Sequence, residues 1–221
     1  MPEDAETTQE RIEGSPRRLA GIAAAVALLL AVGLGVLVTV RTLNPEGIDA
    51  EWMEEIVEHR SPLWEIPARV FDFIGGGWFG VLVVPVGVAV ALLVMRRPWA
   101  ASAFILGSAV SSGMVQLMKV LFGRSRPEQI LVPLDSGSFP SGHTANAATI
   151  VVLLALLLRR RWIAVVGAGY VVLMALSRTY LGAHWVTDTV GGILVGGAMA
   201  VLVWVLFAPR VKQERHRGGS T

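Results

Sequence analysis

The sequence predicts an all-α fold, a polytopic membrane bundle of six transmembrane helices. Three observations carry that expectation. Only 16% of the 221 residues are charged and 53% are hydrophobic, whereas ordinary soluble domains carry about 25% charged residues. The mean hydropathy is +0.60. The charges are also segregated, which leaves long uncharged blocks of the size that a ~30 Å hydrocarbon core demands. A net charge of +2 offers no field for nucleic acid, and no nucleic-acid-binding motif is present. The absence of cysteine excludes disulfides and thiolate metal sites.

The elements follow in order. Residues 1–18, opening with "MPEDAETTQERIEGSP", read as a disordered cytoplasmic leader because they are polar and charge-rich. "LAGIAAAVALLLAVGLGVLVTV", Leu19 to Val40, contains no charge. It exceeds the ~7–15 apolar residues of a signal peptide, and no small-residue cleavage site follows, so it is expected to stay as a span. Residues 41–76 form an outer loop. Within it, "AEWMEEIVEHR" places Trp52, Met53, Ile56 and Val57 at helical spacing among Glu51, Glu54, Glu55 and Glu58. That pattern predicts a short helix lying on the membrane surface, with His59 solvated at its end. Further spans are expected at 77–95, 99–122, 144–158, 162–180 and 186–208. The block at 144–158 is short, and five spans result if it is re-entrant. The membrane domain thus occupies 19–208, and 209–221 form a basic cytoplasmic tail carrying His216. Gly191, Gly192, Gly196 and Gly197 have the small-x-x-x-small spacing of close helix packing.

Orientation follows from Lys and Arg. With the N-terminus cytoplasmic, that side holds Arg11, Arg17, Arg18, Arg96, Arg97, Arg159, Arg160, Arg161, Arg210, Lys212, Arg215 and Arg217. The other side holds Arg41, Arg60, Arg69, Lys119, Arg124, Arg126 and Arg178. Twelve against seven of the 19 cations places both termini inside. Lys119, Arg126 and Arg178 run against that trend near span ends. Snorkelling to headgroups explains any one of them; three together point to a function.

Three stretches fall on the outer side: "KVLFGRSRP" (Lys119 to Pro127), "PSGH" (Pro140 to His143) and "SRTYLGAHWVTD" (Ser177 to Asp188). Together they supply three fixed cations, two imidazoles and a carboxylate. The cations cannot neutralise one another, so they call for an anion, and Arg forks with a Lys point charge suit phosphate. "PSGH" precedes an apolar helix, so the Ser141 and Gly142 backbone N–H groups can face that anion from a helix N-terminus. His184 and Asp188 are four residues apart, neighbours on one face if a helix begins there. The carboxylate would fix the imidazole tautomer and leave the other ring nitrogen as a nucleophile toward phosphorus. His143 remains for proton transfer. His143, His184 and Asp188 could instead ligate a metal, but the adjacent cations would repel a divalent ion. Ser141 lacks the G-x-S-x-G setting of a serine nucleophile.

These stretches resemble the type 2 phosphatidic acid phosphatase superfamily, which joins integral-membrane lipid phosphatases with vanadium haloperoxidases. Its pattern K-x6-R-P, P-S-G-H and S-R-x5-H-x3-D is matched at every fixed position, and the resemblance covers roughly residues 75–208. The resemblance implies that Lys119, Arg126 and Arg178 bind phosphate, assisted by Ser141, Gly142 and Ser177. It implies that His143 is acid then base, that His184 forms a phosphohistidine, and that Asp188 orients it. It implies no metal and no cofactor. The implied substrate is a membrane lipid phosphate or pyrophosphate: polyprenyl pyrophosphate (undecaprenyl favoured), phosphatidylglycerol phosphate or phosphatidic acid. A lipid phosphotransferase would use the same residues. An anionic-lipid binding or transport protein would use the cations but has no need of His184 with Asp188. The expected setting is the inner, plasma membrane, with the site extracytoplasmic; a homo-oligomer is compatible with all of this.

Overall fold

Helix is the one regular structure among the described residues, because a backbone surrounded by lipid must satisfy its N–H and C=O groups within the segment. The structure, a computed structural model, describes residues 3–40, 47–133 and 137–218, with side chains within 16–216. Arg11, Arg41 and Arg217 of the charge distribution therefore lie outside the described side chains. The helices are α1 (Glu3–Val40), α2 (Ile48–Glu58), α3 (Pro62–Gly75), α4 (Val84–Val94), α5 (Pro98–Phe122), α6 (Gly142–Leu158), α7 (Arg161–Tyr180) and α8 (Val186–Gly218). A π-helical turn, Phe79–Val83, leads into α4.

Among the described residues, four helices are long and apolar enough to cross a membrane: α1 from Pro16, α5, α7 and α8 to His216. A fifth candidate is bent. It consists of α3 and the segment Phe79–Val94, which meet at 47°. The predicted second span therefore changes. The sequence reading began it at 77 and left 62–76 as loop, yet α3 is helical through Pro67. Pro62 suits a helix start, and the break comes at the Gly75-Gly76-Gly77 run. The predicted span at 144–158 corresponds to α6, whose 17 residues reach about 25 Å at 1.5 Å each. It falls short of the ~20 residues of a full span.

Helix extends beyond the apolar blocks at both ends, since α1 starts at Glu3 and α8 runs to Gly218. Each terminal segment continues a long apolar helix, so no new nucleus is required.

The core is built around α6. Ala145, Asn146, Ala147, Ala148, Thr149 and Ile150 are all buried in succession, and α6 packs against α5, α7 and α8. By contrast α1 exposes Leu19, Ile22, Leu29 and Leu30, the expectation for a lipid-facing surface. The predicted glycine packing is present in part. A Cβ on Gly196 would collide with the Ala145 carbonyl, and one on Gly192 would lie 2.6 Å from the Ser141 carbonyl oxygen. Gly197 meets nothing. The α6 and α8 backbones thus touch directly.

The predicted surface helix is α2, but it is not simply laid on lipid. Asp49 and Met53 are buried against the bundle. His59 is exposed and pairs with Glu55 at 3.3 Å, and His216 is exposed; neither belongs to a site.

Candidate active site

Antiparallel neighbours alternate their ends, so α5 and α7 finish where α6 and α8 begin. Lys119 lies in the last turn of α5, and Arg178 in the last turn of α7. Ser141 is the N-cap of α6, and Asp188 lies in the first turn of α8. All three sequence motifs meet at this one end. They border a cavity of about 470 Å³ lined by Lys119, Arg126, Gly142, His143 and His184. Its wall also includes Phe73, Trp78, Phe79, Val81 and Val115 together with the polar Asp72, Ser111, Gln116 and Asn146, so apolar side chains adjoin the polar ones.

Each cation is held in place. Lys119 Nζ donates to the Gly137 carbonyl at 2.5 Å, and Arg126 Nη2 donates to the same carbonyl at 3.2 Å. Arg126 Nη1 donates to the Ala183 carbonyl and lies 3.5 Å from His184 Nε2. Arg178 is fully buried. Its Nη1 pairs with Asp72, while its Nε and Nη2 are buried without a hydrogen-bond partner, as is Ser177 Oγ. Buried guanidinium donors left unpaired are costly, and an oxyanion is the group that would satisfy them.

Asp72 is the residue that sequence reasoning missed. It lies on α3, and its carboxylate stands 3.1 Å from His143 Nε2, which also contacts the Asp72 carbonyl at 3.0 Å. The ring reaches α3 because the bend there is glycine: a Cβ on Gly76 would fall on the His143 imidazole. Each histidine therefore has a carboxylate, His143 with Asp72 and His184 with Asp188.

The dyad at His184 departs from its predicted form. His184 precedes α8 by two residues, so the pair is not on a helical face. The chain turns at Leu181 and Gly182, and Asp188 Oδ2 accepts the Trp185 backbone N–H at 2.9 Å. His184 Nδ1 is 3.5 Å from that oxygen and makes no hydrogen bond. The contact is within ion-pair range but poorly aligned for a proton, and we take it as a contact of orientation. With Arg126 as the donor facing Nε2, Nδ1 carries the ring proton toward Asp188. Burial first, then the Arg178, Arg126 and Lys119 charges, hold the His184 imidazole well below its ordinary pKa. The ring is thereby held toward its neutral form, and His184 lines the cavity with Arg126 beside its Nε2.

Two further placements differ from expectation. The Ser141 N–H is not available to an anion, because it donates to the Asp188 carbonyl at 2.9 Å; Ser141 Oγ accepts from Thr144 at 3.1 Å. The Gly142 and His143 N–H groups, in the first turn of α6, have no acceptor within the helix. Arg124, read as one of seven outer cations, is buried behind the site. It pairs with Asp188 at 2.6 Å and with Asp49 at 2.7 Å. Among the described side chains, the one acidic cluster with metal-ligand geometry is Glu55, Glu58 and His59, all exposed and apart from this cavity.

Residues 99–212 match the family model of the PAP2 superfamily. The chain is 30% identical over 132 residues to phosphatidylglycerophosphatase B of Bacillus subtilis, covering 55% of this chain and 64% of that protein. It is 35% identical over 101 residues to an undecaprenyl-diphosphatase of Sulfolobus acidocaldarius, covering 45% and 48%. It thus spans less than two thirds of either curated relative. Among solved structures, a transmembrane PAP2-type phosphatidylglycerolphosphate phosphatase from Bacillus subtilis superposes with a TM-score of 0.71 at 25% identity, over 81% of this chain and 93% of that one.

Proposed function

The chain belongs to the PAP2 superfamily, and on that footing we propose that it hydrolyses a membrane lipid phosphate or pyrophosphate through a phosphohistidine on His184. The observation that carries the reading is the shared cavity. His143 and His184 line it together with Lys119 and Arg126, and the unsatisfied Arg178 donors are buried at the same end of the bundle. A transport or binding protein would need the cations but not a neutral, carboxylate-backed imidazole among them.

In the proposed reaction Lys119, Arg126 and Arg178 hold the phosphoryl oxygens, with the Gly142 N–H and Ser177 hydroxyl beside them. His184 Nε2 attacks phosphorus, and the P–O bond to the lipid breaks. Asp188 receives the hydrogen bond from Nδ1–H as positive charge develops on the ring. His143, protonated and held by Asp72, gives its proton to the leaving oxygen. His143 then takes a proton from water, whose oxygen attacks phosphorus, and the P–N bond breaks to release phosphate. The substrate candidates are undecaprenyl or another polyprenyl pyrophosphate, phosphatidylglycerol phosphate and phosphatidic acid. Two of these correspond to the activities named for the relatives.

The deciding experiment is phosphate release from a panel of these lipids by the purified chain in detergent. Release from at least one supports the reading; binding of every lipid without release, or transfer to a second lipid in place of water, overturns it. Turnover is expected to survive excess EDTA, because three adjacent cations repel a divalent ion. Loss in EDTA with recovery on adding a divalent metal would contradict that. Orthovanadate is expected to inhibit, since its trigonal-bipyramidal adduct on His184 resembles the phosphoryl transition state.

We further propose a six-span inner-membrane topology, with α6 as a short central span, both termini cytoplasmic and the cavity outside. The distribution of Lys and Arg supports it. Glu58→Cys and Arg160→Cys are expected to label from opposite faces of intact cells, against no native cysteine. Labelling of Glu58→Cys only after permeabilisation would reverse the orientation.

A further inference from the structure

Behind His184 lies a buried ion network that reaches past the motif residues. The Arg124 guanidinium donates to Asp188 Oδ1 through Nη1 at 2.6 Å and to Asp49 Oδ2 through Nη2 at 2.7 Å. Arg124, Asp49 and Asp188 side chains are 6%, 7% and 0% exposed. The guanidinium also lies against the Trp185 ring, 5.6 Å from its centroid, and the indole N–H donates to the Ser125 carbonyl. Asp49 comes from α2, outside the region that matches the family model. It also accepts the Thr187 backbone N–H at 3.0 Å and the Thr187 hydroxyl at 2.6 Å. The outer helix is thereby tied to the first turn of α8.

We propose that Arg124 and Asp49 are positioning residues for the nucleophile: Asp49 of α2 holds Arg124, and Arg124 holds Asp188 so that its second carboxylate oxygen faces His184. The proposal rests on the phosphohistidine reading above. Neither residue borders the cavity, and the Arg124 guanidinium is taken up by two buried carboxylates behind it. The two Asp188 oxygens have separate partners. Oδ1 takes Arg124, and Oδ2 takes the Trp185 N–H and faces His184 Nδ1. Without Arg124, Oδ1 would lose its charged partner, and the carboxylate's orientation toward His184 would rest on the Trp185 N–H.

Charge balance argues the same way. One guanidinium between two carboxylates leaves the cluster with a net charge of −1. In the resting site that charge faces the cations around a neutral His184. It is matched when Nε2 bonds phosphorus and the ring becomes cationic. A buried ion pair is weak grounds for stability, because desolvation offsets its attraction. A buried triad set directly behind a nucleophile, with one member supplied by a separate helix, is better explained by orientation. On this account α2 is part of the catalytic unit rather than a membrane-surface ornament.

The test uses the full chain in detergent with a turned-over lipid phosphate, comparing wild type with Arg124→Gln, Arg124→Lys, Asp49→Asn and the Asp49→Asn/Arg124→Gln double variant. For Arg124→Gln we expect kcat to fall about 10–100-fold with KM nearly constant, the scale seen when partners that orient a reactive ligand are removed. Formation of the phosphoenzyme should slow in parallel. Arg124→Lys should recover part of the loss, and Asp49→Asn should cost less than Arg124→Gln. The double variant should be no worse than Arg124→Gln, because members of one network are non-additive. A rise in KM at constant kcat would show that Arg124 touches substrate and overturn the proposal. So would losses that merely track the unfolded fraction in a thermal melt, or single effects that multiply. Asp49→Asn and Arg124→Lys keep the test decisive if Arg124→Gln does not fold. If wild type forms no phosphohistidine, both readings fall. If it does, and Arg124→Gln forms it at the wild-type rate, only this proposal falls.

Discussion

His184→Ala is expected to remove essentially all turnover, by about 10⁴-fold or more on the scale of deleted nucleophiles in hydrolytic triads. The argument is local. His184 is 2% exposed, and its Nε2 borders the cavity while its Nδ1 faces Asp188. Removing the ring removes the atom proposed to bond phosphorus, yet leaves the cations proposed to bind it. Substrate should therefore still bind. Asp188→Asn keeps shape and loses the charge that matches the phosphorylated ring, so kcat is expected to fall by about 10²–10⁴-fold. The double variant should be hardly worse than His184→Ala. A phosphoenzyme trapped from wild type should be acid-labile and base-stable, as a phosphoramidate is, and absent from His184→Ala. If His184→Ala still traps it while His143→Ala does not, the two histidines have exchanged roles. The pH dependence has a definite sign. The depressed pKa of His184 keeps it unprotonated at neutral pH, and only acid disables it. Its acid limb in kcat/KM is therefore expected below the ordinary 6.5.

The second large effect is expected at His143 and should depend on the leaving group. His143→Ala removes the proposed proton donor but not the proposed nucleophile. With a lipid alcohol as leaving group, the alkoxide must be protonated as the P–O bond breaks, and general acid catalysis contributes about 10²–10⁴-fold. With p-nitrophenyl phosphate the leaving group departs as a stable anion, so the loss should be much smaller. Equal losses on both substrates would remove His143 from the acid role. Asp72→Asn should act in the same direction as His143→Ala but more weakly, because the amide still occupies the site between His143 and Arg178 without its charge.

Sequence reading reached the site because its chemistry is concentrated in three short motifs, whose spacing survives any packing arrangement. Alternation of apolar blocks was enough to bring those motifs to one end. What it could not reach depends on where helices dock. Asp72 precedes Lys119 by dozens of residues and sits among Pro67, Arg69 and the glycine run, which read as loop. Only the bend between α3 and Phe79 turns its carboxylate inward. Arg124 looked like an outer cation because a basic residue near a span end is ordinarily solvated or snorkels; its burial depends on α2 delivering Asp49. The His184–Asp188 pair was found by its spacing, but its geometry was misread. Spacing of four suggested a helix, and the chain uses a turn with Asp188 bonding back to Trp185.

The touching backbones of α6 and α8 have an evolutionary consequence. PSGH begins one of these helices, and the His184–Asp188 turn leads into the other. Since Gly192 and Gly196 let main chain meet main chain, the separation of the two histidines is gauged by peptide groups and not by side-chain volume. Side-chain changes on the other faces of α6 and α8 then leave this backbone contact in place. Descendants of such a chain are free to redraw the Phe73, Trp78, Phe79 and Val81 flank for new lipid tails while inheriting an unaltered catalyst.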